Sequence, residues 1–395
     1  MKIKLFAVIL IILSVFSKVS ASSNEWKWDL RSTFLIEKFR GVSPPDNEFD
    51  TKFFTSLKLR NKYGITPNIK IETGFKFSQT QFERDNLVFK GEVDLFNIDW
   101  SYKHTNAVIG RQIISWGRNF FWNPTNWLGS IEYGTMENKN KLYCADGFCS
   151  IVENAAEKYF DPNNLNFSGE KSIDAIKINV ISGAFNGLEF IGVMEEENSR
   201  YEHIGIIKNR VQLTGIDFDI FLGRFKRENR IGMGLNTDIK KIEIISDVSC
   251  FYPEENENPF VLASLGAAYN WPAAAKINME FYYNGYGVKD IEKYAEKSRD
   301  IRILSGEINN IARYYMGLRY KNEYHALWKS EISFIYNFID KSNLIGPQVI
   351  YSISDNSEFK AGVLFAAGRQ REDTKLLSEF GAYPDNYYIQ YDLNF

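Results

Sequence analysis

The sequence predicts an all-β chain, a transmembrane antiparallel β-barrel of about 18 strands, with 16 as the alternative count. Three observations carry this. The chain ends on strict alternation, with Tyr387, Ile389, Tyr391, Leu393 and Phe395 apolar and Tyr388, Gln390, Asp392 and Asn394 between them. A period of two is a strand with one apolar face and one wet face. Segments of this kind recur along the whole chain between turn-forming residues. Finally, aromatic residues make up 15% of a chain whose mean hydropathy is only −0.31. That balance suits a wall that is apolar outside and polar inside.

In chain order, Lys2 and Lys4 precede an apolar run from Leu5 to Phe16, and Val19-Ser20-Ala21 supplies small residues. Residues 1–21 therefore read as a secretory signal peptide cleaved after Ala21. The run of 12 residues falls short of the roughly 20 that a helix needs to span a bilayer. Residues 22–395 then read as one barrel without a separate domain. Its expected strands run from 26–39 to 387–395, and include 106–116, a weak 205–213, and 310–321. Trp26, Trp28, Leu30, Phe34 and Ile36 share one face of the first, opposite Lys27, Asp29, Arg31 and Glu37. Later strands repeat the pattern, as in Tyr314, Met316, Leu318 and Tyr320 against Arg313, Tyr315, Arg319 and Lys321.

Connection lengths test the count. Single-chain barrels carry short turns at one end and long loops at the other. Eighteen strands put 117–170 and 285–309 among the outward loops; dropping 205–213 moves 285–309 to the wrong end. Pro347 falls inside an expected strand, which requires a local irregularity there. Ile151–Phe160 and the start of 285–309 have helical spacing, and each reads either as a short helix that plugs or caps the mouth or as a solvated surface loop.

Other classes find little in the residues. A net charge of −3 implies no nucleic-acid partner. His104, His203 and His325 are scattered without a Ser-His-acid spacing, so no enzyme is expected. No His/Cys cluster suggests a metal, and no motif suggests a cofactor. Cys144 and Cys149 flank Ala-Asp-Gly-Phe, a spacing that permits a disulfide in an exported loop. Cys250 stands alone in a strand-like segment.

The most unusual stretch is Gly110-Arg111-Gln112-Ile113-Ile114-Ser115-Trp116-Gly117, running into Phe120-Phe121-Trp122-Asn123-Pro124-Thr125-Asn126-Trp127. This pattern resembles a broad group of Gram-negative outer-membrane channel proteins that includes alginate-export-type porins. Asn126 stands where that group usually has Asp. The C-terminal third is similar to them too, in Asn343-Leu-Ile-Gly-Pro347 and Tyr351-Ser-Ile-Ser-Asp-Asn356. The resemblance covers about half of the chain and implies an outer-membrane channel architecture without naming a solute. The last strand likewise resembles the insertion signal of outer-membrane barrels, with Tyr391, Leu393 and Phe395 as its key residues. It implies two partners, the barrel-assembly machinery and outer-membrane lipid.

Two readings of the unusual stretch stand open. In one, Arg111 lines the lumen and the 117–170 loop folds inward as a constriction. In the other, Trp116, Phe120, Trp122 and Trp127 belong to an aromatic girdle, and Arg111 bridges to a neighbouring strand. Parity assigns further side chains to the lumen, where charge sets selectivity. Among the bases are Arg31, Lys52, Lys58, Arg60, Lys76, Arg313 and Arg319. Among the acids are Asp217, Asp219, Glu243, Asp247, Glu280 and Asp392. The bases cluster toward the chain ends and the acids in the middle, so closure predicts either one basic wall facing one acidic wall or ordinary cross-strand salt bridging around a water-filled interior. The expected function is a porin-like outer-membrane channel for passive diffusion of small polar or charged solutes. The alternative is a non-conducting surface scaffold or adhesin that binds a partner through its long loops.

Overall fold

Hydrogen bonding draws each alternating segment into an antiparallel ladder with its chain neighbour, and the last strand returns to the first. The structure, a computed structural model, describes residues 24–38, 49–82, 88–128, 172–183, 186–197, 200–225, 227–254, 257–271, 274–304, 306–370 and 375–395. The strands are β1 (Asn24–Lys38), β2 (Phe49–Thr66), β3 (Ile69–Phe82), β4 (Val88–Tyr102), β5 (Thr105–Ile113), β6 (Ser172–Ile181), β7 (Gly187–Glu197), β8 (Arg200–Leu213) and β9 (Ile216–Phe225). They continue as β10 (Glu228–Ile239), β11 (Ile242–Pro253), β12 (Phe260–Asn270), β13 (Ala275–Asn284), β14 (Tyr314–His325), β15 (Trp328–Asn337), β16 (Asn343–Ser354), β17 (Ser357–Ala367) and β18 (Asp385–Asn394). Together they close an 18-stranded barrel in simple up-and-down order. A closed sheet leaves no edge strand to be capped.

The wall is inside out relative to a soluble sheet. Along β10, Glu228 and Arg230 are buried while Ile231 and Met233 are exposed. Along β13, Asn278 and Glu280 are buried while Met279 and Phe281 are exposed. Water offers no reward for that arrangement, since burying charge and exposing apolar surface both cost free energy. A hydrocarbon surround reverses the sign for the outer face, and closure lets the strands pair their amides with one another. The chain is a transmembrane β-barrel.

The connections sort by end. At the end that holds Phe395, successive strands are joined by connections of two to five residues, among them 67–68, 103–104, 214–215, 240–241, 326–327 and 355–356. The longest connections, 114–171, 285–313 and 368–384, all lie at the opposite end. Pro347 lies within β16 opposite Ile332 of β15. The β16–β17 ladder lapses at 346–347 and resumes in the same register at Gln348↔Gly362. A missing amide donor thus interrupts one ladder without shifting it.

Several expected boundaries move. β5 ends at Ile113 rather than 116, because the chain leaves the wall there. β8 reaches back to Arg200. β14 begins at Tyr314 rather than 310, because Ile308, Asn310, Ile311 and Ala312 are buried beneath the mouth. The helix expected in 285–309 is instead three short turns: a 3₁₀ turn at Ile291–Lys293 and α-turns at Tyr294–Lys297 and Ile301–Leu304. The signal peptide, the Cys144–Cys149 pair and the helix expected at 151–160 lie outside the described residues.

The seam shows what the chain terminus contributes. Phe395 stacks on Trp28 with ring centroids 4.4 Å apart, and their backbones exchange two hydrogen bonds of 2.7 and 2.9 Å. Tyr391 pairs with Ser32 and Leu393 with Leu30 across the same seam. Replacing Phe395 with Ser removes the ring that covers the seam. The expected result is a several-fold loss of heat-modifiable barrel in the membrane, with the surviving fraction behaving normally. Undiminished barrel levels on a semi-native gel would contradict this.

Candidate functional site

Beyond β5 the chain turns into the barrel, and residues 114–128 cross it. Local hydrogen bonds give this segment its shape. Asn123 Oδ1 accepts from the Asn119 N–H at 2.9 Å, Asn126 Oδ1 accepts from the Trp116 N–H at 3.0 Å, and the Asn126 N–H returns to Asn123 O at 3.0 Å. Side chains of this type satisfy their own backbone and so build tight turns. Gly117 sits at φ +88°, and a Cβ there would lie 2.6 Å from Asn123 Oδ1. Only glycine fits that place.

Contacts with the wall then fix the segment. Trp116 Nε1 donates to Glu189 Oε1 of β7 at 2.7 Å. Arg118 pairs with Asp217 at 3.0 Å and reaches Asp219 at 3.9 Å, both on β9. Asn119 Nδ2 donates to Asp247 Oδ2 of β11 at 2.8 Å and to Ser264 Oγ of β12. Trp127 Nε1 donates to Ser249 Oγ of β11 at 3.0 Å. Glu280 of β13 is the firmest anchor: its two oxygens accept from the consecutive N–H groups of Phe120, Phe121 and Trp122 at 2.8, 2.8 and 3.0 Å. Trp122 stacks on Tyr282 at 5.1 Å between centroids. Phe121 lies directly over Gly317 of β14, where any Cβ would collide with its ring, and the Arg319 guanidinium sits 5.0 Å from the same ring. Every one of these wall contacts falls between β7 and β14.

This placement takes one half from each of the two open readings. Trp116, Trp122 and Trp127 are 5, 3 and 2% exposed, so they pack inside the barrel and form no outer girdle. Phe120 is half-buried beside Gly266 of β12. Arg111 does not line the lumen. It shares its face with Ile109, which is 53% exposed on the outside, and is cross-strand from the outward Phe96. There it bridges to Asp174 of β6 with bonds of 3.0 and 2.5 Å. Gln112 takes the inward side instead and donates to the Ala175 carbonyl at 2.9 Å.

The remaining candidates divide by partner. Arg31 faces inward and pairs with Asp392 at 3.0 Å, while Lys360 holds the other oxygen of Asp392 at 2.7 Å. Arg60 pairs with Asp94 at 3.1 Å. Asp219 is shared by Arg210 at 2.8 Å and Lys208 at 3.6 Å, and Glu243 stands 3.8 Å from Lys276. Arg313 is a second correction among the lumen bases. It precedes β14 and spends its guanidinium on the carbonyls of Gly285 and Gly287, which shapes the 285–313 connection. Arg319 does face inward, paired with Glu331 at 3.2 Å beneath Phe121.

No family model matches the chain, and no curated protein matches it. Among solved structures it is similar to OccD3 (OpdP) of Pseudomonas aeruginosa, with 9% identity, 95% of this chain and 92% of that chain covered, and a TM-score of 0.56. OccAB4 of Acinetobacter baumannii gives 9% identity, 95% and 98% coverage and 0.55. OpdQ of Pseudomonas aeruginosa gives 8% identity, 95% and 99% coverage and 0.54. The likeness is one of barrel fold.

Within that fold, the crossing segment divides the interior unequally. The acids of the middle strands are occupied: Asp217 and Asp219 by arginine and lysine, Asp247 by Asn119, and Glu280 by the three amides. The opposite wall, β1 to β3, carries Arg31, Lys58, Arg60 and Lys76 on its inner face. Lys58 lies within electrostatic reach of the other three and of Asp94, and it forms no ion pair with a described residue. The expected acidic wall is thus neutralised, whereas the expected basic wall keeps Lys58 without a described ion partner among bases that do have carboxylate partners: Arg31 in Asp392, Arg60 in Asp94 and Lys76 in Glu92 at 3.1 Å. Residue counting missed this because Asn119 and the 120–122 amides carry no formal charge.

Above the segment, Arg230 and Arg302 hold the mouth together. Arg302 pairs with Glu228 at 2.8 Å, Glu257 at 2.9 Å and Glu307 at 2.9 Å. Arg230 pairs with Glu228 and Glu307 and lies 3.7 Å over the Phe225 ring. Cationic planes on aromatic faces, desolvated, contribute about 2 kcal/mol each.

Proposed function

We propose that the chain is an outer-membrane porin-like channel through which small polar or charged solutes diffuse passively, anions ahead of cations. The inward segment 114–128 is its constriction. One observation carries this reading: the segment lies against the β7–β14 side and neutralises its acids, while on the opposite wall Lys58 stands beside the ion-paired Arg31, Arg60 and Lys76 with no carboxylate partner among the described residues. An unpaired ammonium among like charges stabilises a passing anion and repels a cation. Eighteen-stranded barrels are wide enough to hold an aqueous path beside such a segment. The resemblance of Gly110–Trp127 to alginate-export-type channels supports the same class. Residues 1–21 as a cleaved export signal and the β18 terminus as the assembly signal are consistent with that destination.

Planar-bilayer recording tests the reading. Purified, heat-modifiable barrel is expected to give stepwise openings with a reversal potential displaced toward the anion equilibrium potential. Correctly folded protein that stays silent would instead favour a surface scaffold.

A further inference from the structure

Three outer connections meet at one glutamate, and the Asn310 amide joins its carboxylate to the crossing segment by hydrogen bonds. Glu379, in the 368–384 connection, is 1% exposed. Its oxygens accept from Tyr315 OH at 2.5 Å, Asn337 Nδ2 at 2.9 Å, the Ile311 N–H at 3.2 Å and Asn310 Nδ2 at 3.5 Å. Its own N–H donates to Asp340 Oδ2 at 2.7 Å, an oxygen that Asn337 Nδ2 also reaches at 3.0 Å. Connections 285–313, 338–342 and 368–384 are thereby tied at one point. Asn310 also faces the other way, where its Oδ1 accepts the indole Nε1–H of Trp122 at 2.8 Å. Its backbone carbonyl is held in turn by Asn284 Nδ2 at 2.7 Å.

We propose that Glu379 and Asn310 are positioning residues for the constriction: the protonation state of Glu379, passed through Asn310 to Trp122, sets how firmly residues 114–128 are held across the barrel. The proposal rests on the reading of that segment as a constriction. Four donors converge on two oxygens, a set matched to a carboxylate. A proton on either oxygen converts an acceptor into a donor, and one of the four bonds must open. The bond from Asn310 is the longest and the first to go, which frees the amide that holds Trp122. Acid therefore loosens the segment.

The groups facing Glu379 make this change accessible near neutral pH. Asp340 approaches from 338–342, Tyr315 from β14 and Tyr294 from the α-turn, and no described Lys or Arg pairs with Glu379 or Asp340. Burial first, and then Asp340, push Glu379 up to about 7. Burial and the two carboxylates raise the Tyr294 hydroxyl far above its ordinary value, so it stays protonated throughout.

The test is the indole ¹⁵N–¹H resonance of Trp122 in the full-length barrel in nanodiscs, identified by its loss in Trp122→Phe. Between about pH 5 and about pH 9 it is expected to shift with a midpoint near 7, and the open conductance to be roughly 1.5-fold higher on the acid side. Glu379→Gln and Asn310→Ala are expected to abolish both pH dependences. Tyr315→Phe keeps the carboxylate but removes a donor to its charged form, so the midpoint should move upward. A resonance that does not titrate, or a midpoint unmoved in Tyr315→Phe, overturns the relay. Normal titration in a barrel that never conducts would leave the relay standing and remove the channel reading instead.

Discussion

Replacing Glu280 with Ala will raise the open-channel conductance by roughly twofold or more, with the barrel still heat-modifiable. Glu280 is fully buried and is the acceptor for three consecutive amides at the centre of the crossing segment. A hydrogen bond to a charged group contributes about 1.5–3 kcal/mol, and an orphaned buried donor costs a comparable amount. Residues 120–122 therefore have every reason to leave the wall once the carboxylate is gone. Arg118, Asn119, Trp116 and Trp127 keep their own partners, so the ends of the segment stay attached. The local release should appear as larger and noisier openings rather than as loss of the barrel. Glu280→Gln should fall between, since its amide keeps one acceptor oxygen and turns an N–H₂ toward a donor. Wild-type conductance in Glu280→Ala would mean that the segment does not limit the path.

The second large effect concerns charge. Lys58→Glu combined with Arg60→Gln replaces an unpaired cation by an acid and leaves Asp94 without its 3.1 Å partner. The basic wall then becomes locally acidic. Under a KCl gradient the reversal potential should move toward the cation side by on the order of 10 mV or more at low salt. The effect should shrink as ionic strength rises, because charges are screened over about 10 Å at 0.1 M and about 3 Å at 1 M. An unchanged potential would place Lys58 and Arg60 off the conducting path. The same substitution made at Arg313, whose guanidinium is bound to the Gly285 and Gly287 carbonyls, should leave selectivity alone.

The architecture was legible because a barrel wall writes a period of two into every strand. The run from Tyr387 to Phe395 and the division between short turns and long loops were enough to reach 18 strands and the closing seam. The strand at 205–213 had weak alternation, and its place was fixed by loop parity. What the period does not report is the direction taken by a run that has left the wall. Trp116, Phe120, Trp122 and Trp127 satisfy an interfacial girdle and an inward-packed segment equally well as residue types. The distinguishing signal lay elsewhere, in Gly232, Gly266 and Gly317 on the facing strands, which are small where the aromatics press on the wall. Acids at Asp247 and Glu280 with no cation opposite were a second trace of it. Arg111 was legible in principle, since it shares parity with Ile109, a residue that suits lipid. The 285–309 helix failed because Ser298, Arg299 and Asp300 break the run, and Asp300 instead accepts from Tyr286 OH at 2.7 Å.

The most direct measurement is thiol accessibility across β1 in a barrel whose Cys144, Cys149 and Cys250 have been replaced by Ser. Arg31→Cys should react with a membrane-impermeant thiol reagent and step the single-channel current downward as it does. Phe34→Cys, three residues on and facing the opposite way, should be shielded by lipid and leave the current unchanged. The reverse pattern, or reaction at both positions with no change in current, would contradict a water-filled lumen bounded by the basic wall.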